Sequence, residues 1–154
     1  MIRLTPLVLT LFGSIAMAES CPDLSGLYQM TEGAVLRYQS EACTRVIRWT
    51  GFTTKKGEII MSPDKQVIYF DGTPICVQQR CQTAQVNESG VTFKLNYDGY
   101  VKTKDHGLCM HRQYQHSINS NQDLQAKYQV ENCDDGFSGE VIKVFPRTAL
   151  PDDL

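Results

Sequence analysis

Six cysteines, at positions 21, 43, 76, 81, 109 and 133, all lie downstream of an apolar leader. An even cysteine count in an exported chain reads as three disulfides, and the 136 residues left after the leader suit one domain with a single core. The leader has three parts. Met1-Ile2-Arg3 carries one positive charge, Leu4 to Ile15 is mostly apolar, and Ala16-Met17-Ala18 supplies small residues ahead of a cleavage point. That is the pattern of a signal peptide, and its apolar run is shorter than the roughly 20 residues of a membrane-spanning helix. We therefore expect removal of residues 1–18, one β domain over 19–147, and a flexible C-terminal tail over 148–154. Cys21 follows Ala18-Glu19-Ser20, which lacks the residues of a lipid-attachment site, so a disulfide is expected there. The expected location is outside the cytoplasm, secreted or periplasmic.

Charge narrows the partners. The chain has 15 basic and 17 acidic residues, a net −2, and loss of Arg3 with the leader makes it −3. A weakly acidic chain with scattered lysines and arginines has no electrostatic reason to bind nucleic acid or anionic lipid. No later stretch is apolar enough to span a bilayer, so no stable membrane insertion is expected. No C-x-x-C pair occurs, so zinc is not expected either. Oligomeric state leaves no mark in the sequence.

Spacing alone cannot pair six cysteines, but strand alternation can, because successive side chains of a strand point to opposite faces. Between Cys109 and Cys133 two alternating runs flank the polar cluster Asn119-Ser120-Asn121-Gln122-Asp123. A hairpin centred on Asn121 sets Ile118 against Leu124, His116 against Ala126, Tyr114 against Tyr128 and Arg112 against Val130. Cys109 then falls opposite Cys133, close enough for a bond. A second hairpin centred on Glu32, with Gly33 supplying a left-handed turn residue, sets Tyr28 against Leu36, Gly26 against Tyr38 and Cys21 against Cys43. The remaining pair, Cys76 with Cys81, closes a small loop over Val77 to Arg80. Each bridge staples one local β element.

The rest of the chain reads as short strands. Arg45 to Thr53 places Ile47 and Trp49 on one face. Glu58–Met61 and Gln66–Phe70 are split by the turn signal Ser62-Pro63-Asp64-Lys65, and Val91, Phe93, Leu95 and Tyr97 alternate with polar residues. A last strand spans Phe137 to Phe145. Sequential strands with tight turns predict an all-β antiparallel meander, closed or partly open as a small up-and-down barrel stapled by three disulfides.

Leu24-Ser25-Gly26-Leu27-Tyr28, at the start of the first strand, resembles the G-x-W opening of the lipocalins and the wider calycin group. Cys21 just before it adds a slight likeness to avidins. Tyr28 stands where the family has Trp, and Met30 stands where avidins have an Asn ligand, so no ligand set carries over. The resemblance implies a barrel with a ligand cavity at one mouth, and an Arg packed on the residue at position 28, for which Arg147 is placed.

Catalytic signatures are missing from the sequence. There is no G-x-S-x-G, every cysteine has a candidate partner, and acids stand singly except in turns and the tail, so no enzyme, catalytic residue or cofactor is expected. His106, His111 and His116 look like a metal set, but alternation puts His111 and His116 on opposite faces, so no metal site is expected. The suggestive group is aromatic and polar on one face: Tyr28, Tyr38, Trp49, Arg112, Tyr114, His116 and Tyr128. Arg112 on an apolar face needs a partner, which an anionic or polar ligand could supply, unless it snorkels to water. Asn87-Glu88-Ser89 is a glycosylation sequon that matters only in a glycosylating host. Two functions fit: a binding protein with a small-molecule ligand in a barrel cavity, or a cavity-free interaction module meeting a protein partner through a strand edge or the Cys76–Cys81 loop.

Overall fold

Alternating polarity resolves into eleven strands in the computed structural model, which describes residues 21–152. The leader and its cleavage point lie outside the described residues. The first half is a meander of β1 (Gly26–Gln29), β2 (Ala34–Glu41), β3 (Arg45–Thr53) and β4 (Ile59–Tyr69). The second runs through β5 (Ile75–Val77), β6 (Arg80–Asn87), β7 (Gly90–Thr103), β8 (Gly107–Ile118), β9 (Leu124–Glu131) and β10 (Gly139–Phe145). A two-residue β11 (Arg147–Thr148) then pairs with β1, so Thr148 belongs to the sheet rather than to a tail.

Every pairing is antiparallel, and hydrogen bonding draws two sheets rather than one closed ring: β11-β1-β2-β3-β4 and β10-β9-β8-β7-β6-β5. Two features join them. The last extended segment changes sheets at Pro146, whose ring has no N–H to give a ladder. At the other seam a single bridge links Asp71 to Gln85.

Both predicted hairpins form. Gly26 pairs with Tyr38 and Tyr28 with Leu36, while Ile118 pairs with Leu124, His116 with Ala126 and Tyr114 with Tyr128. The bonds are Cys21–Cys43, Cys76–Cys81 and Cys109–Cys133. Each should contribute about 2–4 kcal/mol by restricting the unfolded chain.

Two expectations are corrected. The break at Ser62-Pro63-Asp64-Lys65 is no turn, because β4 is continuous and these residues form a bulge against β3 between Lys65–Trp49 and Met61–Gly51. Proline is tolerated there because β4 is an edge strand. Arg112 does not face Val130. It is an extra residue in β8, so His111 takes that place and Gln113 pairs with Gln129. One added residue reverses which side chains face in. Upstream of Arg112 the buried set is therefore Cys109 and His111, and downstream His116.

The core lies between the sheets. Leu24, Tyr28, Val46, Ile68, Val91, Phe93, Leu124 and Ala126 are fully buried in it. A smaller cluster of Val101, Cys109, Val130 and Cys133, backed by Phe137 and Val141, underlies the outer half of the β7–β8 hairpin.

Candidate functional site

Local backbone irregularities build the site. Between Lys94 and Gly99 the register of β7 against β8 shifts, so Leu95 to Asp98 bulge out of the ladder. The bulge is held from two sides: Asn96 Oδ1 accepts from the Cys81 amide at 2.8 Å, and Asp98 pairs with Arg112 at 2.7 Å. The outer half of the hairpin is also pinned. Cys109 is bonded to Cys133, Asp134 Oδ2 accepts from the Leu108 amide, and Lys143 Nζ donates to the Lys102 carbonyl at 2.9 Å.

Beneath this hairpin an open cleft of about 350 Å³ lies between the two sheets. Its walls come from both sheets. β2 and β3 present Leu36, Tyr38, Arg48 and Thr50, and Gln66 follows on β4. The second sheet presents Tyr114, His116 and Tyr128 below, with Leu95, Tyr97, Gly99, Tyr100 and His111 above. Gly99 is required by close approach: a Cβ there would sit 2.7 Å from the His111 ring.

Arg48 is the sole charged group in the lining, and the walls hold no carboxylate. Gln66 Oε1 accepts from its Nε at 2.9 Å, Tyr114 Oη accepts from Nη1 at 3.2 Å, and the guanidinium lies 5.9 Å from the centroid of Phe93. Burial opposes the charge, but the Tyr114 and Tyr38 hydroxyls more than offset it, so Arg48 stays protonated. A guanidinium only donates. The Tyr38 hydroxyl, on the strand paired with Arg48, hydrogen-bonds with His116 Nδ1 at 3.0 Å.

The two histidines of the cleft, His111 and His116, are neutral at pH 7. Burial, with the Arg48 charge adding to it, depresses His116 to about 3. Burial alone lowers His111, whose Nδ1 is buried without a hydrogen-bond partner. Such an orphan in a native interior calls for an explanation. The rings of Tyr114, Tyr128, His111 and His116 pack edge-on or tilted at centroid distances between 4.9 and 5.8 Å. Burial raises the Tyr38, Tyr114 and Tyr128 hydroxyls, so all three remain protonated at neutral pH.

Of the seven residues singled out from sequence, Tyr38, Tyr114, His116 and Tyr128 come together here. Tyr28 faces the same interior but lies deeper, donating to the Leu24 carbonyl at 2.9 Å. Trp49 is on the outer face, half-buried beneath Arg37, whose guanidinium is 4.9 Å from the ring centroid. Arg112 is 62 % exposed and paired with Asp98, so its partner is an acid of this chain. His111, assigned to the face opposite His116, lines the cavity with it because of the Arg112 bulge.

Arg48 is the principal residue sequence reasoning passed over. Its signal was present: a turn centred on Cys43 sets Arg48 opposite Tyr38. The apolar pair Ile47 and Trp49 suggested the other phase of that strand. A larger groove of about 650 Å³ follows the edge of β10, but it lies outside the aromatic interior and mixes Lys104 and Lys143 with Asp105 and Glu140. His106 lines that groove, bonded through Nδ1 to Asp135 at 2.7 Å and stacked on Phe137.

No family model, no curated protein and no solved structure matches this chain.

Proposed function

We propose that this chain is an exported binding protein that holds a small molecule between its two sheets, which form the halves of a partly open up-and-down barrel. The supporting observation is the cleft between the sheets, with one cation and a group of aromatic side chains, within the size range of small-ligand sites. Ligand pockets combine apolar walls with a few convergent polar groups, and Arg48, Tyr38, Tyr114 and His111 are such groups. The lipocalin-like opening adds support, because Tyr28 and Arg147 are register partners and Arg147 Nη2 donates to the Ser25 carbonyl beside Tyr28. Export is supported by the three disulfides, and no helix among the described residues is long and apolar enough to cross a membrane. Native mass spectrometry on protein purified from its host compartment should show a retained small molecule or uptake of one from an extract. Protein that stays at apo mass in both, with an unchanged two-dimensional NMR spectrum, would defeat the proposal.

A second reading is an interaction module without ligand. It draws on the edge position of β5 and on Val77, 58 % exposed beside the Cys76–Cys81 bridge. Arg80 belongs to that hairpin but lies over the Tyr97 ring. Under this reading Arg80→Glu abolishes capture of a protein partner, and unchanged capture argues against it.

A further inference from the structure

A charge drawn partly out of water needs something to oppose it, and Arg48, half-buried in the wall of the cleft, has no acid beside it. Arg48 is held by neutral acceptors only, the Gln66 amide oxygen and the Tyr114 hydroxyl. Among the described residues no carboxylate forms an ion pair with it. The chain is not short of acids near arginines elsewhere: Arg45 pairs with Glu41, and Arg112 with Asp98. The cavity also leaves one buried polar atom unused, His111 Nδ1. Between these two polar points the walls are flat and aromatic, with Tyr97, Tyr114 and Tyr128 facing the open volume.

We infer that the ligand is a small planar monoanion, a carboxylate on an aromatic or similarly flat apolar body, and that its carboxylate is the acid Arg48 lacks. This rests on the reading of the cavity as a binding site and adds the ligand's charge and shape. The guanidinium fork matches a carboxylate in geometry, and a charge-assisted bond is stronger than a neutral one. Aromatic walls hold a flat body through offset and edge-on ring contacts. His111 gives the ligand a second polar anchor, which positions the body relative to the carboxylate. A cationic ligand is rejected, because its charge would meet Arg48 with nothing to neutralise either.

Acid–amide pairs of one shape isolate the charge. Phenylacetate, indole-3-acetate and cinnamate are titrated into the full mature protein by calorimetry, each beside its neutral amide. The inference expects the acid of at least one pair to bind about tenfold or more tighter than its amide. Arg48→Gln should remove that difference while leaving the amide's affinity in place, and Arg48→Lys should restore part of it. Acid and amide binding equally would overturn the charge assignment and leave the cavity as a binding site. If no member of the three pairs binds, both readings fall. Should Arg48→Gln not fold, judged by circular dichroism, the acid–amide ratio on the unaltered protein decides the matter.

Discussion

Tyr28 and Tyr38 sit on neighbouring strands, face the same interior and are almost fully buried, yet their surroundings differ. Tyr28 is in the filled end, among Leu24, Val46, Ile68, Leu124 and Ala126, and its hydroxyl donates to a backbone carbonyl. Gly26 leaves room for it, since a Cβ there would stand 2.7 Å from that hydroxyl. Tyr38 lines the cleft, and its hydroxyl hydrogen-bonds with His116 Nδ1. One end is packed and satisfied by its own backbone. The other holds empty volume, a charge without an opposing acid and an orphan nitrogen. Stability is expected to reside in the first end and function in the second.

Truncation separates the two ends by the widest margin. Leu124→Ala removes a fully buried side chain from the filled end and should cost about 2–5 kcal/mol, the transfer loss plus the cavity it opens. Leu95→Ala, on a half-buried side chain beside space that already exists, should cost about 1–2 kcal/mol. Urea denaturation of both variants measures the gap. Equal costs would mean that the cavity end is packed as tightly as the core.

The bridges divide along the same line. Cys109–Cys133 closes a separation of 24 residues and pins the roof of the cavity, whereas Cys76–Cys81 closes 5 at an exposed hairpin. Loop entropy assigns about 3 kcal/mol to the first and about 2 kcal/mol to the second. Paired Cys→Ser variants should follow that order in denaturation. Loss of Cys109–Cys133 alone should also raise amide exchange at Val101 and Met110, because the outer hairpin then opens locally. An unchanged exchange pattern would remove the disulfide from any part in shaping the cavity.

Acid should act on the cavity end as well. His116 is held at about 3 in the folded protein against 6.5 for the free side chain. The unfolded chain therefore binds the proton first, and stability falls as pH drops from 6.5 toward 3, by about 1.4 kcal/mol per unit from this group. Its contribution is complete above pH 6.5. His111, lowered by burial, adds in the same direction. Urea midpoints between pH 4 and 7 should show the slope, and His116→Gln should flatten it. A slope that survives the substitution would assign it to other groups.

The filled end was legible in the sequence because three constraints agree there: alternation, a turn signal and sulfur pairing set Tyr28 against Leu36 and Cys21 against Cys43. Much of the open end was not, for a physical reason. A bulge carries no composition of its own, yet it reverses the facing of every residue beyond it. Arg112 therefore looks inward on paper and lies outside, while His111 does the opposite. Trp49 misled differently: an aromatic ring can be half-buried on an outer face when a neighbouring arginine covers it. Those of the singled-out residues that line the cleft, Tyr38, Tyr114, His116 and Tyr128, are the ones whose register with the nearer turn is uninterrupted.

The smallest expected effect is also the most direct test of the contrast, since it removes one oxygen from each tyrosine. Tyr28→Phe strips the donor from the Leu24 carbonyl in a packed region that admits no replacement, and should cost about 1–3 kcal/mol. Tyr38→Phe strips the partner from His116 Nδ1, but that nitrogen borders the cavity, where water can take over, and the cost should fall to about 0.5–1.5 kcal/mol. The ligand should report the reverse order. Tyr38→Phe removes a hydroxyl from the cleft wall beside Arg48, its register partner, and should weaken carboxylate binding, while Tyr28→Phe should leave it unchanged. If Tyr28→Phe weakens binding and Tyr38→Phe does not, the two ends cannot be divided into structural and functional halves as drawn.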